Sequence, residues 1–222
     1  MISGNFSQHA RERMISVIQR HALGSVSYTG IQEFSEKVLS AMKEIPREDF
    51  VPGDSKKFAY DDNAMSIGSG QTISQPFIVA LMVEVLDLNN QSNVLEIGTG
   101  CGYHAAVISK IAKSVFSVDI VPELIESAKK NLKNYDNVFV SCRNGKFGWS
   151  ENGPYDAITV AAASEDIPKM LVEQLKPGGR MILPIGSPGN TQALTLVTKL
   201  ESGETESRAL LPVVFVPFVE SR

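Results

Sequence analysis

The chain has 222 residues and a mass of 24.1 kDa, enough for a large domain that buries about 70% of its unfolded surface without disulfide or metal staples. With 43% hydrophobic and 21% charged residues, the composition excludes the disordered, collagen-like and disulfide-scaffold classes. The 21 basic and 25 acidic side chains leave a net charge of −4, and no Lys/Arg block supplies the basic footprint that nucleic acid requires.

Residues 1–55 carry helical spacing, with Met14, Ile15, Val17 and Ile18 in one stretch and Phe34, Val38, Leu39 and Met42 in another. They predict a helical preface, punctuated by Pro46 and Pro52. Its charged start, through Arg11, Glu12 and Arg13, lacks the apolar stretch of a secretory signal. The Gly- and Ser-rich connector 65–76 is too polar for a core strand and reads as a functional loop.

From residue 77 onward, helical and β-rich runs alternate. Helices are predicted over 77–88, 103–112, 122–132 and 167–175, and strands over 93–97, 115–118, 138–140, 155–160 and 180–183, with a loop at 144–153. This alternation implies right-handed βαβ crossovers and an α/β fold, a mostly parallel doubly wound sheet. Strands at 193–198 and 210–219 predict an antiparallel C-terminal edge. The expected division is an N-terminal helical extension with a covering loop (1–76) and a catalytic core (77–222). The longest apolar run, 77–86, is interrupted by Glu84 and is about half the length that crosses a bilayer. A soluble cytoplasmic protein with no membrane partner is therefore expected. Cys101 and Cys142 cannot form a framework, and His9, His21 and His104 lack ligand spacing, so no metal is expected. Lys129, Lys130 and Lys133 suit the solvated face of a helix.

Open α/β sheets bind ligands beyond the carboxyl ends of their strands. There the chain reads Glu96-Ile97-Gly98-Thr99-Gly100-Cys101-Gly102, a G-x-G-x-G pattern and not the dinucleotide fingerprint G-x-G-x-x-G. A carboxylate at Glu96 would repel phosphates and suit a ligand with an ammonium or sulfonium group. Asp119, ending the next strand, can accept both hydroxyls of a ribose. Together these features point to S-adenosylmethionine. Dinucleotide binding, or a tight turn flanked by two surface acids, are the alternatives on spacing alone.

Several segments carry a resemblance: Ile45-Pro46-Arg47-Glu48-Asp49-Phe50-Val51-Pro52, Gly68-Ser69-Gly70-Gln71-Thr72-Ile73-Ser74-Gln75-Pro76, the glycine loop through Tyr103, Pro154-Tyr155-Asp156-Ala157-Ile158, Leu175-Lys176-Pro177-Gly178-Gly179-Arg180 and Phe215-Val216-Pro217. Spread over about 30–219, they resemble the protein-L-isoaspartate O-methyltransferase family. The resemblance implies a Rossmann-like methyltransferase fold. It also implies methyl transfer from S-adenosylmethionine to the free carboxylate of isoaspartyl residues in damaged proteins and peptides, as a repair step. It implies cofactor contacts from Thr72, Ile73, Ser74, Glu96, Gly98, Thr99, Gly100, Gly102, Tyr103, Asp119, Ile120, Asn144 and Gly145. Asp61, Ser74, Ala161, Ala162 and Val216 would meet the substrate, and Ser74 would be the catalytic hydroxyl.

Taken by itself, Ser74 reads equally well as an N-cap before Pro76. Ala161, Ala162 and Ala163 stand where adenine-modifying enzymes would place an Asn-Pro-Pro-Tyr-like motif, which argues against nucleic-acid methylation. The chain departs from the family at Asn144-Gly145, where Asp-Gly is usual, and at Ser66, where proline is usual. An Asn still offers one carbonyl acceptor, and Asn-Gly is prone to close to a succinimide because glycine frees the backbone. A monomer is expected. A methyltransferase-like peptide-binding module without turnover and a small-molecule O-methyltransferase are the alternative functions.

Overall fold

A computed structural model describes residues 2–187 and 189–218. The helical preface is α1 (Ile2–Thr29) followed by α2 (Glu36–Glu44). Ala10, Met14, Ile18 and Ala22 recur every four residues along α1 and are all buried, the stripe that a core-facing helix presents. That stripe meets the next helix, α3 (Pro76–Val85), in which every residue except Glu84 is buried. Glu84 accepts hydrogen bonds from the backbone N–H and the hydroxyl of Ser35, at 3.0 and 2.8 Å, at the start of α2. The apolar run is thus the centre of a helical layer, and no helix among the described residues is long and apolar enough to cross a membrane.

The polar connector, expected as a loop, forms a hairpin of β1 (Met65–Gly68) and β2 (Gln71–Ile73). Its turn residues, Ser69 and Gly70, have φ values of 52° and 71°, the two positive angles of a tight hairpin turn. Short alternating segments with so few apolar residues leave little periodicity to read.

Behind it stands a seven-stranded sheet built from β3 (Asn93–Ile97), β4 (Ser114–Asp119), β5 (Val138–Cys142), β6 (Tyr155–Val160), β7 (Leu175–Ile185), β8 (Gln192–Lys199) and β9 (Thr205–Val213), in the order β5-β4-β3-β6-β7-β8-β9. The first five in that order are parallel, and β8 and β9 are antiparallel. Helices α4 (Tyr103–Ser109), α5 (Pro122–Asn131) and α6 (Lys169–Glu173) make the crossovers. Side chains along β3 alternate between layers: Val94 joins the cluster containing α1, α3 and α4, while Leu95 and Ile97 join the cluster containing Tyr155 and Leu171. The edge strand β9 lies earlier than the predicted 210–219. Residues 205–209 are exposed, so their pairing with β8 leaves no hydrophobic signature in the sequence. Val219 lies outside the described residues.

Candidate active site

Strand β3 pairs with β4 on one side and with β6 on the other. The connections therefore diverge at its carboxyl end, where a crevice opens in such sheets. The glycine loop fills this point. Gly98 and Thr99 N–H donate to the Val118 carbonyl at 2.8 and 3.2 Å. Gly98, Gly100 and Gly102 have φ of 94°, 54° and 89°, a region that side chains avoid. A Cβ on Gly102 would stand 2.7 Å from Leu132 Cδ1, and one on Gly145 would stand 2.3 Å from Ile97 Cγ2. The glycines allow the backbone to pass closely and keep side chains out of the crevice. Asp119 is fixed by the same loop, accepting from Gly100 N–H at 2.9 Å and Val121 N–H at 3.0 Å.

The crevice is a cavity of about 860 Å³. At its glycine end Gly98, Gly100, Asp119, Ile120 and Gly145 form the wall. Thr72, Ser74, Ala161, Ala162 and Val216 line the same space. The Ser74 hydroxyl makes no hydrogen bond with a described residue, and the cap position of α3 belongs to Gln75. The N-cap reading of Ser74 therefore fails. Asp62 serves that helix instead, accepting from Phe77 N–H at 2.8 Å, from Gln75 Nε2 at 2.8 Å and from His21 Nδ1 at 2.6 Å. After β9 the chain folds back so that Ala163 N–H donates to Val216 O at 2.8 Å, which brings 214–218 across the mouth.

Other expected residues lie away from the wall. Ile73, Thr99, Gly102 and Tyr103 are buried behind it. Asp61 is exposed and outside the lining, and its neighbour Asp62 turns inward. The Asn144 side-chain carbonyl, expected to contact the cofactor, accepts from Lys146 N–H at 2.9 Å and caps a short turn. Glu96 requires the largest correction. It is fully buried on the α4 side of β3, accepts from Ser117 Oγ at 2.5 Å and lies 3.4 Å from His104 Nδ1. Burial pushes its pKa up to about 8 and the His104 pKa down to about 4, so both are mainly neutral at pH 7 despite the ion-pair distance. Among the described residues, Asp119 is the acidic side chain of the lining and Arg20 the basic one.

The wall also includes residues not expected from the sequence, among them Arg20, His21, Gly24 and Ser25 of α1, which line the cavity from the N-terminal helix. Only the helical spacing of α1 was legible, and spacing does not tell which turn will face a site some fifty residues away.

A doubly wound sheet with a glycine-walled crevice at its switch point and an acid ending the second strand is the frame of nucleoside-cofactor proteins, the class to which Rossmann-like methyltransferases belong. Comparison with known proteins narrows this. The family model of protein-L-isoaspartate(D-aspartate) O-methyltransferase matches residues 21–222, and the chain belongs to that family. A protein-L-isoaspartate O-methyltransferase 2 of Syntrophobacter fumaroxidans is 45% identical, covering 94% of this chain and 85% of the relative. One of Nitrosococcus oceani is 44% identical, covering 94% and 95%. A solved protein-L-isoaspartate O-methyltransferase superposes with a TM-score of 0.78 at 31% identity over 93% of this chain and 65% of its own. A Plasmodium falciparum beta-aspartate methyltransferase in complex with S-adenosyl-L-homocysteine shares the fold, with a TM-score of 0.77 at 24% identity over 95% and 99%. The chain is thus an S-adenosylmethionine-dependent O-methyltransferase of protein L-isoaspartate.

Proposed function

We propose that the glycine end of the cavity takes S-adenosylmethionine and that the end formed by Ser74, Ala161, Ala162 and Val216 takes the free carboxylate of an isoaspartyl residue in a damaged protein or peptide. The observation that carries this reading is that one cavity is lined both by Asp119 and by Ser74, whose hydroxyl has no hydrogen-bond partner among the described residues. When bound, the donor supplies a methyl group on a positively charged sulfur, open to in-line displacement. Asp119 would hold the ribose hydroxyls through the lone pairs that Gly100 and Val121 leave free. Gly98, Gly100 and Gly145 leave room for the donor, and the turn capped by Asn144 holds Gly145 against Ile97.

The nucleophile is a carboxylate with a reference pKa near 4, so at neutral pH no general base is needed. The chain has only to align the oxygen and exclude water, whose screening would weaken the attraction between opposite charges. The Ser74 hydroxyl donates to the carboxylate and orients it. Thr72 covers the reacting atoms with Ile73 packed behind it, and the small side chains of Ala161 and Ala162 leave space for a peptide backbone. Residues 1–76 act as the covering unit over the 77–222 core. The net charge of −4 and the lack of a basic footprint weigh against a nucleic-acid partner, and the reading is completed by a cytoplasmic monomer that meets no membrane.

The test is steady-state kinetics on an isoaspartyl peptide. Ser74→Ala should lower kcat by roughly 10 to 1,000-fold, the range for losing one orienting donor, with donor affinity unchanged. An unchanged kcat would remove Ser74 from the reaction.

A further inference from the structure

Arg47 is 0% exposed, an unusual place for a guanidinium, which is normally left in water or set against a carboxylate. It forms no ion pair with a described residue. Its Nε–H donates to Ala59 O at 2.8 Å and an Nη2–H donates to Ser74 O at 2.7 Å. Its Cζ lies 4.7 Å from the centre of the Tyr103 ring, and Nη1 has no hydrogen-bond partner among the described residues. One side chain thus joins three segments: the turn that leads to Asp62, the loop of Ser74 and the first residue of α4, which follows the glycine loop. The carboxylate whose charge acts on it is Asp62, which is itself engaged by His21, Gln75 and Phe77 N–H. Burial pulls the Arg47 pKa below its ordinary value, but a guanidinium keeps its proton across the working pH range.

We infer that Arg47 is a positioning residue whose charge, without an ion pair among the described residues and lying directly behind the Ser74 peptide, favours an anionic acceptor in the cavity and disfavours a cationic ligand. The inference rests on the reading that the Ser74 end takes the isoaspartyl carboxylate. Two properties of the residue act together. The planar fork fixes the Ser74 carbonyl and the Ala59 turn at once, which an ammonium on a flexible stem does less well. The charge acts through a low-dielectric medium and so reaches past the atom it touches. It attracts the peptide carboxylate and opposes the net positive donor. It weakens binding of S-adenosylmethionine more than that of the product S-adenosylhomocysteine, which has lost the sulfonium charge.

The test uses the full chain and its Arg47→Met and Arg47→Lys variants, with folding checked by thermal melts. Calorimetry gives Kd for S-adenosylmethionine and for S-adenosylhomocysteine, which differ chiefly in one methyl group and one charge. Losing the cation in Arg47→Met should lower the ratio of these two Kd values by roughly two- to tenfold, while KM for the isoaspartyl peptide rises by roughly tenfold or more. Arg47→Lys should keep the wild-type ratio and recover most of KM, with kcat still reduced because the fork is lost. A purely structural role would weaken both nucleosides equally and leave the ratio unmoved, which overturns the inference. If Arg47→Met does not fold, Arg47→Gln, which keeps a donor but carries no charge, takes its place: a lowered ratio upholds the inference and an unmoved ratio overturns it. Failure of the wild-type enzyme to methylate the peptide would reject the acceptor reading, while the nucleoside ratio still decides whether the Arg47 charge reaches the donor end.

Discussion

The pair Glu96 and His104 shows how burial governs single residues here. In folding, Glu96 rises from 4.5 to about 8, so its contribution to stability is fully present below pH 4.5 and is lost as the pH climbs to 8. His104 falls from 6.5 to about 4, so its contribution is present above pH 6.5 and is lost as the pH drops to 4. The two slopes offset between pH 4.5 and 6.5. Above pH 6.5 only Glu96 acts, and stability should fall by up to about 1.4 kcal/mol per pH unit toward pH 8. Thermal melts between pH 6.5 and 8 should show Tm falling for the wild type and staying flat for Glu96→Gln; equal slopes would contradict the buried, neutral carboxyl. The sequence displayed the acid and its distance from the glycines, but not the face of β3 on which it lies. That face is set by alternation along a strand covered on both sides, so the charge expected at the crevice belongs to Asp119.

At the scale of elements, the start of α3 depends on a side chain from outside the helix. Asp62→Ala removes the acceptor of the Phe77 N–H and leaves Gln75 and His21 without their shared partner. The expected cost is about 1–3 kcal/mol, or a Tm lower by roughly 2–10 °C for a chain of this size. Asp62→Asn, which keeps an acceptor oxygen, should recover part of it; no change in Tm for Asp62→Ala would refute the cap. The short turn at Asn144 is likewise more constrained than its sequence suggested. Its side chain is held by Lys146 N–H, and Gly145 is buried against Ile97. Succinimide closure should therefore be slower in the folded protein than in a peptide of the same sequence, as peptide mass mapping after warm incubation would show; equal rates would mean the turn opens freely. The helices and central strands were legible because each buries a periodic apolar face. The hairpin β1–β2 and the edge strand β9 were not, since backbone pairing holds them and their side chains remain mostly in water.

Across the whole molecule, one hydrophobic cluster runs from α1 through α3 and α4 to the sheet. The N-terminal helices should therefore melt with the core, giving one calorimetric transition, and two resolved transitions would contradict this continuity. The glycine loop, Asp119 and the Ser74 segment were readable because each is a local pattern. The α1 wall, the clasp of His21 on Asp62 and the reach of Arg47 to Ser74 were not, because they join residues brought near only by the fold. The most direct test of the account is to present labelled S-adenosylmethionine with twin peptides that differ only in an isoaspartyl or an aspartyl residue. Base-labile methyl ester on the isoaspartyl peptide alone is the expected result. Label on both peptides, on neither, or only on small metabolites would contradict it.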